Sequence, residues 1–263
     1  MLAFPAVVLC AIDVREMLAS AGGSCSRGCT TPEKLHWWGR RIGNDGCASL
    51  ALLLANSTTS KTPLQNLLLG GNSIGDPCMA SLATLAANGG LRSLRSLGLS
   101  NNAITDTGCL RLAAEIQHGR LPALGDLYLS RNAVGDTCAA ALGAAIAAAP
   151  GSCGSSDGRC GSSRLERLGL NENRIADEGL GRLLRAIAAG RALKLRELSV
   201  NNNSGLCRGE ASALLAAMEA FAVSSSTVGD RPLKLLMKSV RCRKDQKDWP
   251  LTNAMRSALK ISV

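Results

Sequence analysis

Leu94–Asp106 reads LRSLGLSNNAITD, and Leu124–Asp136 reads LGDLYLSRNAVGD. Leu94, Leu97, Leu99, Asn102, Ile104 and Asp106 recur thirty residues on as Leu124, Leu127, Leu129, Asn132, Val134 and Asp136. Self-similarity at a fixed period marks a stack of like units, each unable to bury its apolar side alone. That signal outranks any residue-by-residue propensity.

Outward from this pair, the pattern starts again at Leu64, Leu165 and Leu195, so successive starts are 30, 30, 41 and 30 residues apart. The long spacing holds an eleven-residue Gly/Ser-rich insertion, 151–161, which maps to a loop at the rim of the stack. Upstream, aligning Ile42 with Ile104 puts Leu35 and Trp37 at core positions and Arg40 where later units carry Asn. Downstream, Leu233–Val240 reads as a degenerate copy of Leu193–Val200, with Lys238 in place of Leu198 and a seventh start near 235. The organisation expected is a cap or disordered segment over 1–31, a repeat domain over 32–240 with starts near 32, 64, 94, 124, 165, 195 and 235, and a basic cap helix over 241–263. Leu251, Met255 and Leu259 supply that last helix with an apolar face.

Within a unit the leucines alternate as a short strand requires, pointing alternate side chains into the core. Where the strand ends the chain turns inward, and backbone groups lose their ladder partners. Asn72, Asn102, Asn132, Asn173 and Asn203 stand at that turn in successive units. An amide offers both donor and acceptor, so these residues are read as a structural ladder. Asp76, Asp106, Asp136 and Asp177 open the returning helices, where a carboxylate accepts bonds from free N–H groups. Leu180, Leu183, Leu184 and Ile187 give one such helix its apolar face.

The pattern L-x-x-L-x-L-x-x-N-x-I-x-D followed by an Ala/Leu helix resembles the leucine-rich repeat family. The long unit with a helical return is similar to its ribonuclease-inhibitor-like branch, which includes NOD-like receptor sensor arms and Ran GTPase-activating protein. The resemblance implies an α/β solenoid, a leucine-rich-repeat horseshoe arc with parallel strands on the concave face and helices on the convex face. It implies a macromolecular partner on the concave face, without naming that partner.

Composition narrows the function. Thirty basic residues against 20 acidic give a net charge of +10, which favours an acidic partner. Gripping a basic nuclease calls for an acidic concave face, so a ribonuclease-inhibitor function is disfavoured. Eleven cysteines cannot all pair within one chain. Cys47, Cys78, Cys109 and Cys138 fall at or next to one slot of the repeat and read as small buried apolar residues in a reducing, cytoplasmic setting. The apolar N-terminal run lacks a positive n-region and is too short, and interrupted by Pro5, to span a membrane. The sequons at Asn56 and Asn202 bear on function only in a secreted chain.

Residues between the leucines line the concave face. Tyr128, the single tyrosine, sits there beside Asp126 and Arg131, with Arg167 and Glu172 one unit on. Tyr and Arg are enriched in binding hot spots, so these five form the candidate partner-binding cluster. Arg231, Lys234, Lys238, Arg241, Arg243, Lys244 and Lys247 make a basic tail that reads as a solvated cap or an anion contact. No aromatics interleave it, so base stacking is not supported. Gly154–Gly158 fits G-x-S-x-G in spelling but lacks the strand and helix that strain a nucleophile elbow. Cys25, Cys29, Cys153 and Cys160 lack close-pair metal spacing, and neither His36 nor His118 has a recognisable catalytic partner. No enzyme, metal or cofactor is expected. The reading is a non-enzymatic scaffold that binds a protein, with a Ran-type GTPase-activating protein or the sensor arm of an immune-type receptor as alternatives.

Overall fold

A computed structural model describes residues 33–56, 63–147, 164–189, 194–206, 216 and 234–236. Its strands are β1 Lys34–His36, β2 Asn66–Leu68, β3 Ser96–Gly98, β4 Asp126–Tyr128, β5 Arg167–Gly169, β6 Glu197–Ser199 and β7 Lys234–Leu236. Between them run helices α1 Gly43–Ala55, α2 Asp76–Ala87, α3 Asp106–Gln117, α4 Asp136–Ala147 and α5 Asp177–Ala189. The strands form one sheet in chain order, every neighbour parallel. Leu35, Leu67, Leu97, Leu127, Leu168, Leu198 and Leu235 share one register row.

That row states why a three-residue strand suffices. A lone short strand is unstable, but each of these hydrogen-bonds to its neighbours in the sheet, and those from β1 to β6 drop the central leucine into a continuous core. The described leucines of the row from Leu35 to Leu198 are buried, as are Leu69, Leu99, Leu129 and Leu170 just beyond the strands. Parallel strands sit about 4.8 Å apart, whereas packed helices need about 8–10 Å. A stack that puts strands on one side and helices on the other therefore curves with the strands inside. Gly143 lets α4 approach α5: a Cβ there would lie 3.0 Å from the Leu183 Cα.

The asparagines reach backward. Asn102 Nδ2 donates to Leu69 O (3.0 Å) and Leu99 O (2.9 Å), while its Oδ1 accepts from the Ile74 N–H (3.0 Å). Asn132 repeats this with Leu99 O, Leu129 O and the Ile104 N–H, each at 3.0 Å. Asn72, Asn173 and Asn203 do likewise toward Trp37 O, Leu129 O and Leu170 O. Arg40, lacking an amide, instead donates its backbone N–H to Asn72 Oδ1 at 2.7 Å.

The aspartates reach forward, which differs from the local capping expected of them. Asp76 Oδ1 accepts from the Thr105 N–H (2.9 Å) and the Gly108 N–H (3.0 Å) of the next unit. Asp106 Oδ1 accepts from the Gly135 N–H, and Asp136 Oδ1 from the Ala176 N–H, each at 2.6 Å. Each carboxylate thus serves the N-terminus of the following helix, where the orphan donors and the positive dipole end lie. Gly108 and Gly179 make room, since a Cβ at either would overlap Asp76 or Asp136. Asn44 Oδ1 fills the same role for the Gly75 N–H.

Two further expectations change. Cys47 is disulfide-bonded to Cys78 and Cys109 to Cys138, with Cα–Cα distances of 5.5 and 5.7 Å. The one-residue offset inside the slot explains the pairing: Gly46-Cys47 faces Cys78-Met79, and Gly108-Cys109 faces Cys138-Ala139. Each bond staples the first turns of consecutive helices. The seventh unit is also shifted by three residues from the expected start near 235. Leu198 pairs with Leu235 rather than with Lys238, so the strand lies earlier and keeps leucine in the central register row. The segments 1–31, 151–161 and 241–263 lie outside the described residues.

Candidate functional site

The strand face is built from four rows read across the units. The first holds Lys34, Asn66, Ser96, Asp126, Arg167 and Glu197, and the second His36, Leu68, Gly98, Tyr128, Gly169 and Ser199. The third, just past the strands, holds Trp38, Gly70, Ser100, Ser130, Asn171 and Asn201. The fourth holds Gly39, Gly71, Asn101, Arg131, Glu172 and Asn202, all with φ between 53° and 68°. That left-handed turn aims the ladder asparagine inward. Gly and Asn adopt it readily, whereas Arg131 and Glu172 are the two residues of the row for which it is unfavourable.

The structure brings four of the five candidate residues together as two ion pairs across the β4–β5 step, with Tyr128 in the row between them. Arg167 Nη2 meets Asp126 Oδ2 at 2.7 Å, and Arg131 Nε meets Glu172 Oε2 at 2.9 Å. Hydrogen bonding and charge from Asp126, aided by Tyr128, hold the Arg167 guanidinium above its ordinary pKa, so it stays protonated. Both pairs are substantially exposed, so each adds little to stability, about 0–1 kcal/mol. Two acids and two bases cancel. The cluster is therefore polar and neutral, not a source of the excess positive charge.

Tyr128 lies between these pairs in the sequence of rows, half-buried, its ring against Gly169: a Cβ there would sit 3.1 Å from Tyr128 Cδ1. Two other large side chains use the same device. Leu68 leans over Gly98, and Trp38 over Gly70, the glycine one unit on in its own row. Beyond Tyr128 a hydroxyl–amide strip continues. Ser199 Oγ donates to Asn171 Oδ1 (2.6 Å), which also accepts from the Asn201 N–H (2.8 Å).

The ladder asparagines sit behind this face, with Asn72, Asn173 and Asn203 buried and Asn102 and Asn132 half-buried. Among the described residues no group of His, Cys, Asp or Glu is arranged to hold a metal ion. Cys25, Cys29, Cys153, Cys160, the Gly154–Gly158 loop and the side chains of the basic tail lie outside the described residues. No described helix is long and apolar enough to cross a membrane. Sequence reasoning passed over Trp38. The signal was present: Trp37 is a core position, so the next residue along an extended chain must face out.

No family model matches the chain, and no curated protein does. Among solved structures, an internalin C2 from Listeria monocytogenes is similar, at 18% identity over 76% of this chain and 86% of that chain, with a TM-score of 0.34. The fold rests on the chain's own strand register, buried leucine rows and asparagine turns: this is an α/β solenoid whose units follow the leucine-rich-repeat pattern.

Proposed function

We propose that the protein is a non-enzymatic interaction scaffold and that it binds a protein partner on its concave strand face through Asp126, Tyr128, Arg131, Arg167 and Glu172. The observation that supports this most is backbone conformation. From the first unit to the sixth the left-handed row is Gly or Asn except in the unit of Tyr128 and the next, where Arg131 and Glu172 occupy it. A charged residue there costs roughly 1–2 kcal/mol of backbone energy relative to glycine. Local strain of this kind persists where function needs the side chain.

The ribonuclease-inhibitor-like branch, with its long unit and helical return, fits the five described helices. Location reads differently from the sequence expectation. Two disulfides that join neighbouring repeats suit an oxidising compartment better than a reducing cytoplasm. The test of the binding reading is affinity capture from native extract with wild type and with Tyr128→Ala/Arg131→Ala. A partner captured by the first and lost by the second supports the concave cluster. A partner retained by the double variant removes it.

A further inference from the structure

A local excess of positive charge and a large exposed apolar side chain occur together at the N-terminal end of the strand face. Trp38 is 62% exposed and, among the described residues, is the one exposed large apolar side chain off the helices; Leu52 and Leu110 are on α1 and α3. Its indole rests on Gly70, and a Cβ there would overlap the ring. Nε1 lies close to Gly71 as well, 3.4 Å from where a Cβ would be. The ring is thus seated on bare backbone, with an outer face left to solvent.

Lys34, His36, Arg40 and Arg41 are exposed on the same segment, against the single acid Glu33 between residues 33 and 42. Lys34, His36 and Trp38 alternate with buried Leu35 and Trp37, so the extended part of the segment presents Lys34 and His36 on the indole's side, and Arg40 and Arg41 follow just past the left-handed Gly39. None of Lys34, Arg40 and Arg41 enters an ion pair among the described residues, in contrast to the cancelled charges at β4–β5. Beside them the face drops to small or recessed residues, Asn66, Leu68 and Gly70 and then Ser96, Gly98 and Ser100. The next tall side chain is Tyr128, three strand spacings away, about 14 Å at about 4.8 Å each.

We propose that this shelf docks an acidic peptide segment of a protein partner, with one apolar side chain of the segment packed on the Trp38 ring and its carboxylates against Lys34, His36, Arg40 and Arg41. The inference rests on the strand face being a protein-binding surface and assigns the acidic partner to β1–β3 rather than to the neutral Tyr128 cluster. A tryptophan ringed by cations is the composition of a binding hot spot. Single-stranded nucleic acid is the less favoured occupant, because stacking successive bases needs successive aromatics. The row behind Trp38 is Gly70, Ser100, Ser130.

The test uses fluorescence anisotropy on the full chain. The probes are a labelled twelve-residue Glu/Asp peptide with a central Leu-Phe pair, the same peptide with Ser-Ser at the centre, its Lys counterpart, and a dT12 oligonucleotide. The acidic Leu-Phe peptide should bind, with affinity falling as salt rises. Trp38→Ala should weaken it about tenfold, and Lys34→Glu/Arg40→Glu at least as much. Gly70→Ala, which unseats the ring without removing it, should weaken binding severalfold while leaving the thermal midpoint within error, so a Trp38 variant that failed to fold would not leave the matter open. No binding by wild type, equal binding of the Ser-Ser peptide, or preference for dT12 overturns the proposal. Loss confined to Tyr128→Ala/Arg131→Ala overturns it while sustaining the central cluster, whereas loss confined to the β1 variants supports it and relocates the contact.

Discussion

Asn173→Ala tests what joins the units. The Asn173 amide donates to Leu129 O at 2.9 Å and Leu170 O at 3.2 Å, and its Oδ1 accepts from the Val134 N–H at 3.1 Å. Two of those partners belong to the preceding unit, so the side chain ties β4 to β5 across the step that also carries the 151–161 insertion. At 4% exposure no water replaces it. A buried unsatisfied donor or acceptor costs roughly 1–3 kcal/mol, and partial relaxation keeps three from adding fully, so a loss of about 3 kcal/mol is expected. Asn132→Ala removes an equivalent set from a half-buried position, where water satisfies part of the deficit, and should cost about 1–2 kcal/mol. Urea unfolding followed by far-UV circular dichroism measures both. In a one-dimensional stack a broken step uncouples the ends, so the Asn173 variant should also show a broader transition and a lower apparent m-value. Equal losses in the two variants, or an unchanged midpoint in Asn173→Ala, would refute the ladder as the inter-unit tie.

Four other outcomes are expected. Alkylation of the unfolded, unreduced protein followed by peptide mass mapping should leave Cys47, Cys78, Cys109 and Cys138 unmodified; modification of these four would show that they are free thiols. Reduction should lower stability by about 3.5 kcal/mol per bridge, from loop-closure entropy across sequence separations of 31 and 29 residues. Gly179→Ala should cost roughly 1–3 kcal/mol, because its Cβ would displace Asp136 from the Ala176 N–H; a neutral midpoint would show that the carboxylate is not holding that helix end. Tyr128→Ala should shift stability by less than about 1 kcal/mol, since its ring is half-exposed and its partner Arg167 keeps Asp126. A collapse of the midpoint would make Tyr128 a core residue.

Period and residue type carried most of the fold. Leu97, Asn102 and Asp106 announce strand, turn and helix because each type satisfies a different physical demand at a fixed offset. The direction in which polar side chains reach was not legible, since Asp106 at a helix start could serve its own N-terminus or the next one. Only stacking decides, by bringing the Gly135 N–H to 2.6 Å. The cysteine pairs illustrate the same limit. Four thiols near one slot suggest repetition, and the one-residue offset that turns repetition into pairing has meaning only once adjacent helices are superposed. In the site, the charges of Asp126, Arg131, Arg167 and Glu172 were readable, but their mutual cancellation was not, because the partners are 41 residues apart. Trp38 was concealed by its neighbour Trp37, the one that fits the core row.

The three kinds of tie are not spread evenly along the stack, and this imposes an order on its opening. Asparagines tie the second to sixth units each to the one before, and Asn44, Asp76, Asp106 and Asp136 tie the first four units each to the one after. The disulfides fall at alternate steps, joining the first unit to the second and the third to the fourth. The second–third and fourth–fifth steps are held without a covalent bond. The fourth–fifth step also contains the insertion, and it is the step bridged by Asp126–Arg167 and Arg131–Glu172. Because exposed ion pairs contribute little, they do not compensate for a missing staple there. Amide hydrogen exchange should therefore show β5 and α5 opening at lower free energy than β3, β4, α3 and α4, and reduction should narrow that difference by releasing the third–fourth step. Uniform protection through α3, α4 and α5 in the oxidised protein would mean that hydrogen bonds and leucine packing alone set the stability of each step.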